Sequence, residues 1–109
     1  MATYLAQVSY TSAALAALMA NPQDRTGAIR EPIEKLGGKL IGVWLAFGDY
    51  DVVCLIEMPD VISAAAMALA IGAGGSLKAQ KTTPLLSVEE GLAAMKKAAA
   101  SGYKPVSAK

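Results

Sequence analysis

Two carboxylates and one amine in this chain, Asp51, Glu57 and Lys81, carry side chains able to do chemistry and fall on strands that the pattern would place in one sheet. Trp44 and Tyr50 stand close to them in the same pattern. Together they describe a pocket for a small polar molecule, with Asp51 as anchor or general base and Lys81 as counter-charge. The competing reading makes the same charges ion pairs at the rim of an interface, since structural pairs also perturb titration. Tyr50 could donate a proton or stack on a ligand, or pack its ring and satisfy its hydroxyl locally. The candidate catalytic set is thus Asp51, Glu57 and Lys81, and the candidate ligand-binding set is Trp44, Tyr50 and Asp51. Asp49 reads as a residue chosen for turn chemistry.

Other chemistries find no residues to carry them. The chain has no histidine, which removes the commonest general base and metal ligand and closes the serine–histidine and cysteine–histidine schemes. Its one cysteine, Cys54, sits in an apolar strand pattern and reads as a buried small hydrophobe. No metal and no cofactor are expected. Gly72-Ala73-Gly74-Gly75 follows a helix pattern instead of opening one, with no Gly-Lys-Ser/Thr after it, so it is no phosphate loop. Asp24 and Arg25, near a helix start, could meet an anion, although capping and solvation account for them too.

Length and balance bound the rest. A chain of 109 residues makes one domain with a core of its own. A net charge of +1, with scattered basic residues, argues against a nucleic-acid partner. The run from Val61 to Ala73 falls short of the roughly 20 residues needed to cross a bilayer. Met1-Ala2-Thr3-Tyr4 lacks a basic region followed by an apolar run, so no signal peptide is expected and the location is read as cytoplasmic.

The elements that must position the candidates centre on a hairpin from Leu40 to Glu57. With Gly48-Asp49 as a two-residue type II′ turn, Phe47 faces Tyr50, Leu45 faces Val52, Val43 faces Cys54 and Ile41 faces Ile56 on an apolar face. The other face pairs Ala46 with Asp51, Trp44 with Val53, Gly42 with Leu55 and Leu40 with Glu57. Tyr4 to Tyr10 reads as a strand before it, and Thr11 or Ser12 caps a helix to Ala20. Asn21-Pro22 reads as a fresh helix start continuing to Leu36, kinked by Pro32. Asp60 caps an uncharged helix from Val61 to Ile71, which needs burial on more than one side. Ser76 to Thr83 is the last core strand, ended by Pro84. Ser87-Val88-Glu89-Glu90 is a capping box opening a C-terminal helix that Gly102 stops.

This order is the split βαβ pattern: an α+β, ferredoxin-like βαββαβ fold with a four-stranded antiparallel sheet in the order 4-1-3-2. Both helices lie on one face, with the C-terminal helix added. The bare face carries Trp44, Val53 and Leu55 and calls for a partner.

The run Phe47-Gly48-Asp49-Tyr50-Asp51-Val52-Val53 resembles the signature of the GYD family of small bacterial and archaeal domains. Tyr4 to Thr11, Asn21-Pro22, Asp24-Arg25, Leu36-Gly37-Gly38, Trp44 and Lys81 to Leu86 extend the resemblance to about Met95. It implies a domain similar to dimeric α+β barrel proteins, spanning residues 1–102 and followed by a flexible tail over 103–109. It implies no established activity, and no catalytic residue is carried over. Haem-degrading relatives of the barrel fold often use a histidine, which this chain lacks. Two functions are expected: a homodimer or higher homo-oligomer serving assembly or holding a small polar ligand, or a small metal-free enzyme, an isomerase or cofactor-independent oxygenase.

Overall fold

The computed structural model describes residues 1–107; the last two residues of the expected tail lie outside it. Eight elements follow in order. They are β1 (Ala2–Tyr10), α1 (Ser12–Ala20), α2 (Thr26–Lys35), β2 (Lys39–Leu45), β3 (Val52–Met58), α3 (Val61–Ala73), β4 (Leu77–Leu85) and α4 (Val88–Ala99). The strands form one antiparallel sheet in the order β2-β3-β1-β4. This is the expected order read from the opposite edge.

Register explains which residues are inside. The rows Leu40–Ile56–Tyr4–Pro84, Val43–Cys54–Ala6–Thr82 and Leu45–Val52–Val8–Gln80 share one face. That face holds the core, closed by Ile33 of α2 and by Ala64 and Met67 of α3. Ile33 and Met58 are the most completely buried large side chains, each contributing about 1.5–3 kcal/mol by leaving water. Gln80 ties β4 to α3 by donating from Nε2 to the Ala68 carbonyl at 2.9 Å.

Four local expectations are corrected. No two-residue turn forms at Gly48-Asp49: β2 ends at Leu45, β3 starts at Val52, and Gly48 has no positive φ. The hairpin closes instead with Ala46 N–H donating to the Asp51 carbonyl at 2.8 Å, and Phe47 is fully exposed rather than facing Tyr50. Secondly, a bulge at Ile41 breaks the uniform register, because a bulge places two residues opposite one. Leu40, and not Ile41, pairs with Ile56; Leu40 is 8% exposed and Ile41 48%. Thirdly, α2 begins at Thr26 and not at Pro22. The Asp24 carboxylate accepts from both the Thr26 backbone N–H and its hydroxyl, so an Asx-type turn outcompetes the proline start. Fourthly, β4 runs through Pro84. β4 is an edge strand, where a proline need not break a ladder bond.

Caps hold where oxygen-bearing side chains were expected to provide them. Thr11 accepts from Ala14 N–H, Asp60 from Ser63 N–H, and Ser87 and Glu90 form a reciprocal capping box. The chain is nevertheless open in form. Its radius of gyration is 17.5 Å, against about 13 Å for a compact domain of this length. α4 accounts for much of this: every residue in it but Gly91 is exposed, and none is buried.

Candidate functional site

The face opposite the helices contains Trp44, Glu57 and Lys81 of the residues singled out from the sequence, while Tyr50 and Asp51 lie in the loop before β3. Register sets three rows across it: Trp44–Val53–Gln7–Lys81, Gly42–Leu55–Leu5–Thr83, and Lys39–Glu57–Thr3–Leu85. Trp44 and Lys81 thus share a row, separated by two strands. Glu57 lies beside Lys39, and its row is displaced from that of Lys81 by four residues along β1, roughly 13 Å. The only ion pair among the described residues is Glu31–Lys35 on the surface of α2. Glu57 and Lys81 are therefore not brought together, either as an acid–base pair or as a salt bridge.

Asp51 is placed by the backbone. Its N–H donates to the Val8 carbonyl at 2.8 Å, and its Oδ2 accepts from Tyr10 N–H at 2.8 Å. β1 is irregular at this point, where its register to β4 shifts between Ser9 and Tyr10. The carboxylate supplies the acceptor for a partly buried N–H where the regular ladder ends, and unmet donors of that kind are costly. Tyr50 is half-buried in the hairpin loop beside it.

Trp44 is held by its own strand. A β-carbon at Gly42 would lie 2.6 Å from Cη2 of the indole. The ring therefore folds back over the bare backbone two residues before it, and only glycine leaves that room. About half of Trp44 remains open to solvent. Around it lie the half-buried Leu5, Val53 and Leu55, on the face opposite the one that Ile33, Ala64 and Met67 close.

A second site, which the sequence reading did not assemble, lies on the other side of the sheet. A cleft of about 250 Å³ separates α2 from α3 over a floor of Val52, Cys54 and Ile56. It adjoins a wider space of about 590 Å³ bordered by α1 and the end of β2. Tyr10, Arg25, Ile29 and Val52 border both spaces. The cleft exists because Ala6, Ala28, Ala70 and Gly74 stand around it, where larger side chains would close it. Burial pushes the Cys54 thiol above its ordinary pKa, so it is an inert wall group at neutral pH. Asp24, at the wider space, is held below its ordinary value by the Thr26 hydroxyl and then by the Thr26 backbone N–H. Its charge is thus engaged by its own turn. The sequence signal for this site was Arg25 near a helix start; the alanines around it looked like ordinary helix formers.

The comparisons agree with this architecture. The crystal structure of TTHA0845 from Thermus thermophilus is similar with a TM-score of 0.53 and 19% identity, covering 81% of this chain and 96% of that one. An uncharacterized NIPSNAP domain protein from Burkholderia xenovorans gives a TM-score of 0.49 and 18% identity, covering 81% and 95%. The first likeness shows a shared α+β fold; the second is too weak to add to it. No curated protein matches the chain. The family model for the GYD domain matches residues 4–95, most of the sheet and all four helices at least in part, and the chain belongs to the GYD domain family.

Proposed function

We propose that this protein is a self-associating module whose bare sheet face and projecting α4 are covered by a second copy of the chain. The observation that carries the reading is surface area. The chain exposes 7835 Å², whereas a compact monomer of its mass exposes roughly 5,700 Å². The excess is larger than the ~800 Å² that each partner buries in a standard interface, and it reaches the obligate class.

The excess is apolar where it matters. Val88, Leu92 and Met95 make one exposed stripe along α4, at the spacing of a helix face built to be buried. Its charges, Glu89, Glu90, Lys96 and Lys97, match the helix dipole at both ends. α3 adds exposed Val61, Ile62 and Leu69 with no charged residue along its length. A two-fold arrangement covers like surface with like, which suits a flat face centred on Trp44 and Leu55.

Light scattering of the wild type beside Trp44→Lys and Leu92→Asp tests this. A wild-type oligomer weakened by either substitution, with unchanged circular dichroism, supports the reading. A wild-type monomer at micromolar concentration overturns it.

A further inference from the structure

We propose that the cleft between α2 and α3 is a binding site for a small apolar carboxylate, with its hydrocarbon body in the cleft and its anionic head on Arg25 and the Tyr10 hydroxyl. All of these groups come from one chain, so the inference stands apart from self-association.

Size and chemistry select the class. A cavity of ~150 Å³ accepts a benzene ring, so about 250 Å³ accepts a body of about ten non-hydrogen atoms in proportion. The floor is aliphatic side chain and a protonated thiol, which favours hydrocarbon over a sugar or nucleotide. Polar donors gather at one place, where the cleft meets the wider space: Arg25 and Tyr10 border both. Among the described residues Arg25 has no ion-pair partner, and the Tyr10 hydroxyl has no hydrogen-bond partner. An unpaired guanidinium and a free hydroxyl that line the same two spaces supply donors of the kind a carboxylate takes. No acidic residue among those described borders the narrower cleft, and the one at the wider space, Asp24, is taken up by Thr26.

Keeping Ala6, Ala28 and Ala70 around an open space forgoes packing that larger residues would supply. A site for a ligand gives that sacrifice a use.

The test uses octanoate, with 1-octanol and octylamine as matched controls, on the full chain by calorimetry. The melting temperature of the full chain, followed with and without octanoate, gives a second readout, because a ligand that binds only the folded chain stabilises it. Expected are saturable octanoate binding, a raised melting temperature with octanoate, and binding of octanol and octylamine weaker by about tenfold or more. Arg25→Gln should remove the preference for octanoate over octanol. Ala6→Leu, which fills the floor, should abolish binding of both; Ala70→Leu at the more exposed wall serves if Ala6→Leu fails to fold. Absence of octanoate binding at millimolar concentration overturns the proposal, as does Arg25→Gln binding octanoate like the wild type. Binding by Leu92→Asp alone would also overturn it, since the occupant would then be α4 of a neighbouring copy.

Discussion

The Asp51 carboxylate accepts a hydrogen bond from the Tyr10 backbone N–H at 2.8 Å, across the gap where β1 parts from the hairpin. With Asp51 N–H on the Val8 carbonyl, this makes Asp51 a clamp between β1 and β3. Asp51→Ala should therefore lower unfolding free energy in urea by about 1–3 kcal/mol. Asp51→Asn keeps an oxygen acceptor and should cost less. Equal stability of wild type and Asp51→Ala would refute the clamp.

Trp44 over Gly42 is the second relationship open to test. Gly42→Ala puts a methyl group into the indole and should lift the ring off the sheet. Trp44 is the only tryptophan, so its fluorescence reports this directly. A shifted emission maximum and a weaker oligomer are expected; an unchanged spectrum would mean that the ring does not rest there.

The bulge at Ile41 predicts a contrast between neighbours. Leu40→Ala should cost about 2–4 kcal/mol as a core truncation, whereas Ile41→Thr should cost the isolated fold well under 1 kcal/mol. The reverse order would restore the uniform register.

That contrast also marks how far the sequence could be read. Alternation in Tyr4–Tyr10 and Val52–Met58, the Thr11, Asp60 and Ser87 caps, and Gly37-Gly38 made the sheet order and three helix starts legible. These signals are local, and each acts within a few residues. The bulge and the long hairpin loop were not legible because tertiary pairing decides them, and the Asx turn at Asp24 because two local preferences, its own and the Asn21-Pro22 start, compete there. For the candidate site, the pattern placed Trp44 and Glu57 on one face, as the register has them, and gave Lys81 only a strand of the same sheet. It could not show that the rows of Glu57 and Lys81 lie four residues apart along β1, nor that the Asp51 carboxylate is turned to a backbone donor. The cleft was hidden for a different reason: it is made by small residues from four segments, and absence of bulk has no periodic signature.

Acid should loosen the helix starts. The carboxyl of Asp60 is held below its ordinary pKa by the Ser63 backbone N–H, and that of Glu90 by the Ser87 backbone N–H. A carboxyl depressed in the folded state contributes stability above its unfolded value and loses it as pH falls through the folded one. The melting temperature should therefore decline as pH drops below about 4, and Asp60→Asn should flatten part of that decline. A wild-type profile that stays level into that range would contradict the assigned caps.

Native mass spectrometry at micromolar concentration tests the central claim most directly. The account predicts species at twice the 11.2 kDa chain mass or a higher multiple, reduced to single chains by Trp44→Lys. A wild-type spectrum of single chains alone would contradict it, leaving the sheet face and α4 without a second copy to cover them.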